Sequence, residues 1–550
     1  MKRIYTIVIV FAFLCLNAKA QTPDWLWGRS APSTGWGEGW DVATDASNNV
    51  YFTGTYEWSV TFDTTHFTSY GYQVYIAKYD SLGNLLWVKS PGGNGYAFTC
   101  GVATDNFGNS FMAGRAHYFP INFDTDSVNL SGGNDIFVAK YDSSGHELWV
   151  KGFGEVTGTE IIYSVATDAI GNCYITGIFT TPTLIFGTDT IHGTNNGGAF
   201  LVKLDPNGNV LFAHAVAGGY AVCTDHNGNI YLTGSFGNYT AYFDLDSLVS
   251  THPANFFLAK YNSNGNEIWV RGTTGIGFGQ GFSIATDSYG NSYTTGFFDS
   301  LSINFGSVLL TNNTSGNFFI VKYDPLGNAI WAQTTTGQNY SQSWKVAVDA
   351  IGNSYISGHI YQSNVPVTFD TITLQPLANG VDIMFLVKYN PCGHIVFAEL
   401  LPSGGDDNNA VAVSPSGSIY IGGDLLTPII FGNDTLNIGG YETVFVAKSN
   451  NTTSPPCLET VIIESITNKT SISIYPNPAT TLLSIHQSMP TPNEQLIITD
   501  IMGTEVYKEK LTGISTTISI STWSAGIYFY EVSNSTSSLT IARGKFVVQK

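Results

Sequence analysis

The chain has 550 residues, a formal net charge of −19 and only 11% charged residues. An acidic surface repels the phosphate backbone, which excludes a nucleic-acid partner. Hydrophobic residues make up 43%, enough for extensive cores, yet no apolar run reaches the ~20 residues that span a bilayer.

The first element is a leader. Lys2 and Arg3 precede an apolar run from Ile4 to Leu16, and Ala18-Lys19-Ala20 has the small-x-small form cut by signal peptidase. Residues 1–20 are expected to be a signal peptide. Cys15 lies inside it, in a poor lipoprotein context. The other cysteines show no CxxC or CxxH spacing, so neither a metal site nor a cofactor is expected. Cys100, Cys173 and Cys223 sit in apolar strand contexts and read as small core residues. Cys392, in a turn, and Cys457, in a linker, are the candidates for a disulfide.

An internal repeat then dominates the chain. The phrase "VATDAIGNCYITG" from Val165 has relatives starting at Val42, Val102, Val222, Ile284, Val346 and Val411, about 60 residues apart. A second phrase, such as "VAKYDSSGHELWVK" from Val138, recurs between them. Each repeat alternates apolar with small or polar residues and favours β-branched and aromatic types, which is strand chemistry. Four strands a–d are predicted per repeat, with an extra hairpin in some b–c connections. Four-stranded units repeated seven times predict an all-β, seven-bladed β-propeller over residues 21–448. The seventh repeat lacks its strand d after Ala447-Lys448. Leu26-Trp27-Gly28-Arg29-Ser30 resembles the strand-d segment Leu86-Trp87-Val88-Lys89-Ser90, so the mature N-terminus is expected to supply it.

The repeated Asp-x-x-Gly-Asn reads as a hairpin turn. Asp accepts the turn amides, Pro fits the second position in Pro206, Pro325, Pro391 and Pro415, and Gly takes the left-handed position. Asn48 replaces Gly in the first copy, and Asn tolerates that conformation. The Gly comes too early for a calcium loop of EF-hand type. Lys78, Lys140, Lys203, Lys260, Lys322, Lys388 and Lys448 recur in strand c. Each is expected to meet an acid or carbonyl near the turns, since a buried unpaired charge is costly. The strand-d aromatics Trp27, Trp87, Trp149, Phe212, Trp269, Trp331 and Phe397 read as inter-blade packing.

Alternating strand direction puts the uniform a–b and c–d turns on one face and the variable b–c and d–a segments on the other, where ligand contacts are expected. Two residues before the Val or Ile of strand a stand Trp40, Tyr163, Tyr220, Phe282 and Trp344, which suit either ligand stacking or packing between blades. Trp36, Tyr96, Tyr340, Asp406 and Asp407 lie further into the d–a loops and are the better exposed candidates. No His-Glu-x-x-His, Gly-x-Ser-x-Gly or P-loop occurs, and no catalytic residue is assigned.

After Lys448, residues 449–470 form a polar linker containing Pro455-Pro456, and residues 471–550 form a strand-rich unit whose size suits a small Ig-like β-sandwich. This unit resembles the C-terminal sorting domain of the type IX secretion system of Bacteroidota. The matching residues are Tyr475-Pro476-Asn477-Pro478-Ala479, Asp500-Ile501-Met502-Gly503, Ala525-Gly526-Ile527-Tyr528 and Lys545-Phe546-Val547-Val548. Thr481 stands where that family often has Asp. The repeats likewise resemble the bacterial seven-bladed β-propeller repeat family. Together these resemblances imply export to the periplasm, translocation by the type IX machinery, and release or attachment at the cell surface. The expected function is a non-enzymatic, monomeric module that binds an extracellular glycan or protein. The alternatives are a propeller hydrolase or lyase acting on polysaccharide, and a structural surface component.

Overall fold

The computed structural model describes residues 23–450 and 472–550, except positions 94, 118–119, 130–132, 157, 194–196, 238–239, 251–253, 274–277, 312–315, 338–339, 362–364, 377–381, 402–408, 477, 488–493, 502, 512 and 535–539. The chain separates into two compact units, with the division between Cys457 and Leu458. Among the described residues every regular element is a strand.

The first unit contains seven antiparallel main sheets in chain order, six of four strands and the fifth extended to six by the hairpin Val367–Phe369 and Ile372–Leu374, which pairs with its last strand. Sheet 1 is built from β2 (Gly37–Thr44), β3 (Val50–Phe62), β4 (Thr65–Tyr79) and β5 (Leu85–Lys89). Sheets 2 to 6 repeat this order. Sheet 7 takes three strands from its own repeat, and its fourth is β1 (Trp25–Pro32), which pairs with Thr443–Ser449. The register is that of the other sheets: Trp27 stands opposite Lys448 as Trp87 stands opposite Lys78 and Trp149 opposite Lys140. Each sheet's first strand lies against the first strand of the next, and Ala410–Val413 of sheet 7 lies against β2.

The Asp turns are scaffold. Asp168 accepts the backbone N–H groups of Ile170 (3.2 Å) and Asn172 (2.9 Å) through Oδ1, and the Asn172 amide and Tyr174 hydroxyl through Oδ2. The same Asp-to-Asn clasp forms at Asp45, Asp105, Asp205, Asp287 and Asp324. Asn48 carries the positive φ of 62° expected of its position.

These turns also lock one sheet to the next. The Trp149 indole N–H and the Lys140 ammonium both donate to the Pro206 carbonyl of sheet 3, at 2.9 and 3.1 Å. Trp87 and Lys78 share the Ser143 carbonyl in the same way, Trp331 and Lys322 share Pro391, and Trp27 and Lys448 share Ser81. Lys140 also lies over the Phe111 ring at 4.7 Å and 3.7 Å from Asp105. Acid, carbonyl and ring face together offset the cost of burying the ammonium. The turn glycine is needed twice: Gly208 has φ +81°, and a Cβ there would meet the Trp149 ring at 3.0 Å. Nearer the axis, Thr104, Thr167, Thr224 and Thr286 each donate to the carbonyl of the matching Thr in the preceding sheet. Thr44 closes on Val413 of sheet 7.

Short two-stranded hairpins occupy the b–c connections, as at Thr183–Phe186 with Asp189–His192. In sheet 1 the hairpin is not detached, and β3 and β4 run on into it.

The second unit has two antiparallel sheets, one of three strands and one of four. Leu483, Ile485 and Ile518 of the first share a core with Leu496, Ile498, Val532 and Phe546 of the second. Tyr528 is buried against Phe546 and donates its hydroxyl to the Ser524 carbonyl at 2.9 Å. Asp500 accepts the Thr504 amide in a turn whose Gly503 has φ +81°. Pro476 and Pro478 are exposed, as is Lys545, and Asn477 lies outside the described residues.

Candidate functional site

A cavity of about 420 Å³ opens where the first strands of the seven sheets meet. Seven of its lining residues share one position in the repeat. Pairing skips Trp40 between Gly39 and Asp41, Cys100 between Thr99 and Gly101, Tyr163 between Ile162 and Ser164, Phe282 between Gly281 and Ser283, and Trp344 between Ser343 and Lys345. Each is a β-bulge residue, and a bulge re-aims its side chain out of the pleat. Tyr220 and Asn409 hold the matching places in sheets 4 and 7, and all seven line the cavity.

The bulge depends on a glycine in the second strand. A Cβ on Gly54, Gly114, Gly177, Gly296 or Gly358 would lie 1.9–2.3 Å from a carbonyl of the bulged strand. That explains the recurrent Gly in "YITG" and "YISG". A glycine inside a strand pattern marks a bulge or close approach, so the bulges had a signal in the sequence.

The cavity has two chemically different sides. Tyr163, Tyr220, Phe282 and Trp344 form a continuous aromatic arc, with ring centroids 5.3, 6.0 and 5.2 Å apart from one sheet to the next. Opposite, Lys345 of sheet 6 reaches past sheet 7 to Asp41 of sheet 1, at 3.1 Å. Asp41 also accepts the Val102 amide at 3.2 Å. Asn409 adds an amide on this side, beside buried His359, which accepts the Trp344 indole N–H at 3.3 Å. Gln280 donates to the Tyr220 hydroxyl at 3.3 Å.

The sequence assigned Cys100 to the core, whereas its bulge turns it to the cavity wall. Burial pushes its thiol up to about 12, so it is protonated at neutral pH and a poor nucleophile. Burial likewise raises the Tyr163 phenol. Among the described residues no group of three or more His, Cys, Asp or Glu could hold a metal ion.

Of the remaining candidates, Trp36 packs on Tyr441 at the seam of sheets 7 and 1, with centroids 4.9 Å apart. Tyr96 packs on Tyr72 and His117 between sheets 1 and 2. Tyr340 packs on Phe297 and Tyr361 between sheets 5 and 6. These three are on the rim and not in the cavity. Asp406 and Asp407 lie outside the described residues. Asp41, Lys345, Gln280 and Asn409 were missed: Asn409 shares the bulge place without its aromatic character, and the other three stand one or two positions from a bulge residue. Cys392 is disulfide-bonded, and Cys457 lies outside the described residues.

Residues 473–549 match the family model of the secretion system C-terminal sorting domain. A chain with this domain is handled by the type IX secretion machinery, and the protein is secreted or displayed at the cell surface. No described helix is long and apolar enough to cross a membrane. The chain is similar to an uncharacterised WD repeat-containing protein of Acanthamoeba polyphaga mimivirus, 24% identical over 479 residues, with 74% of this chain covered. The match spans 31% of that relative's length. WD repeats fit the propeller-like character of the sheets. Among solved structures, a fungal alcohol oxidase in complex with copper matches at 12% identity and TM-score 0.34, over 96% of this chain and 100% of its own. PorZ, a surface component of the type IX secretion system of Porphyromonas gingivalis, matches at 12% identity and TM-score 0.16, over 94% and 100%. Likeness at this level carries no argument about function.

Proposed function

We propose that residues 21–448 are a seven-bladed β-propeller, closed by the N-terminal strand, that binds an extracellular glycan in its central cavity without turning it over. The observation that carries this reading is the two-sided cavity: an aromatic arc on sheets 3 to 6 facing the Asp41–Lys345 pair and the Asn409 amide. A pyranose has an apolar C–H face and an equatorial girdle of hydroxyls, and so stacks on one side while hydrogen-bonding to the other. The cavity's ionisable side chains support binding over hydrolysis. Asp41 is engaged by Lys345, whereas a glycosidase needs two carboxyls across the sugar.

We take residues 449–470 as the linker between this module and the sorting domain at 471–550, and propose Cys457 as the partner of the disulfide-bonded Cys392. Within the sorting domain, Pro476, Asn477, Pro478, Gly503, Gly526, Tyr528 and Lys545 form the features that the export machinery reads.

A glycan array probed with the full secreted protein tests the reading. A hit series whose affinity falls at least about 10-fold in Trp344→Ala, or about 1.4 kcal/mol, with no product in a polysaccharide turnover screen, is the expected result. An empty array, or product formation, would overturn it.

A further inference from the structure

Sheet 1 breaks the repeat at one place. In β3 the pairing jumps from Glu57↔Tyr72 to Ser59↔Thr68, leaving Trp58 opposite residues 69–71. Trp58 has φ +67°, a left-handed conformation that bulky side chains avoid. The strain is not repaid by burial, because Trp58 is 53% exposed and Tyr70, on the facing strand, is 87% exposed. At the seam with sheet 7, Trp36 of sheet 1, 41% exposed, is in contact with Tyr441 across it, 59% exposed.

The arrangement is fixed in place. Glu57 N–H donates to the Trp36 carbonyl at 2.8 Å, Thr34 N–H donates to the Ser59 carbonyl at 3.1 Å, and the Thr34 and Ser59 hydroxyls meet at 2.9 Å. Gly35 lies under the Trp58 ring, where a Cβ would come within 2.3 Å of Cδ1. Glu57 adjoins Trp58 along the chain, and Glu442, next to Tyr441, is buried and accepts the Gly37 N–H at 3.3 Å.

From this we infer a second saccharide-binding site, an exposed platform of Trp36, Trp58 and Tyr441 at the seam of sheets 7 and 1, separate from the central cavity. Rigid, exposed indole and phenol faces stack on pyranose rings at little entropic cost. An exposed aromatic patch of this kind on a secreted protein marks a binding surface. An open platform, unlike a cavity, accepts the middle of a long chain, so its ligand class is a polysaccharide strand.

The test uses the full secreted protein, with tryptophan fluorescence titrated by β-1,4-linked hexasaccharides of glucose, mannose, xylose and glucuronate, and by a lysine hexapeptide. Trp58→Gly removes the ring and accepts the positive φ. At least one sugar is expected to bind, with affinity falling at least 10-fold in Trp58→Gly while Tm stays equal or rises. In Trp344→Ala, which alters only the central cavity, platform binding is retained. Binding of the peptide and of no sugar, no binding at all, or sugar affinity unchanged in Trp58→Gly would each overturn the proposal.

Discussion

At the scale of single residues, charge is spent on structure. For half-exposed turn acids such as Asp205 and Asp324, burial is the largest single effect and pushes the carboxyl up, but the Asn side chains and turn amides together outweigh it and hold the group below the usual carboxylate range. Two carboxyls go the other way. Burial raises Glu399 to about 7, offset in part by the Trp25 indole N–H, and burial with the carboxylates of Asp135 and Glu155 nearby raises Glu160 to about 7. An unfolded Glu titrates near 4.3, so between roughly pH 4.3 and 7 the folded chain holds protons the unfolded chain has lost. The stability these groups contribute is full below that window and is lost as pH rises through it. Thermal unfolding is therefore expected at a higher Tm at pH 5 than at pH 7.5. Glu399→Gln should flatten this dependence, as scanning calorimetry across the window would record. An unchanged slope would exclude Glu399 as a source.

At the scale of elements, bulge and glycine act as one device. Gly177 faces the Ile161 carbonyl, which a Cβ would approach to 2.0 Å. In an ordinary strand Gly→Ala stabilises by restricting the unfolded chain. At Gly177 the backbone must move, so Gly177→Ala is expected to cost about 1–3 kcal/mol and to displace Tyr163 from the cavity wall. Urea unfolding gives the first quantity and oligosaccharide titration the second. A neutral substitution would mean that the bulge does not need the glycine. The N-terminal strand is a second such device. By pairing with Thr443–Ser449 it covers an edge that would otherwise recruit other chains.

At the scale of the whole molecule, the sheets are joined at two radii. The Trp–Lys–carbonyl locks lie toward the outer strands and the Thr hydrogen bonds lie at the inner ones. Val348 and Val413 stand where Thr would continue the inner series, so the junctions among sheets 5, 6 and 7 lack this hydroxyl. Export belongs to the other unit. Deleting residues 471–550 removes the sorting domain and leaves the first unit's sheets intact, so the truncated chain is expected to accumulate folded in the periplasm. Cell fractionation with circular dichroism of the retained protein checks this, and normal appearance at the surface would contradict it.

The repeat spacing, the turn chemistry and the fourth strand supplied by the N-terminus were all legible in the chain, because they rest on local preferences and on self-similarity. Asp168 and Gly171 are turn residues for reasons contained within five positions. The sorting motifs were legible for the same reason. The cavity was only half legible. Its aromatics could be read as sharing one place in the repeat, but the period-2 rule for a strand assigns a residue to one face or the other and has no term for a bulge. Whether Trp344 packed between sheets or faced a cavity depended on the Gly358 backbone approaching from the next strand. The Asp41–Lys345 pair depended on bringing together two positions 304 residues apart. Sequence alone determined the units and the address, since these are written in contiguous residues. Tertiary structure decided the site, since it exists only where first strands from separate repeats converge.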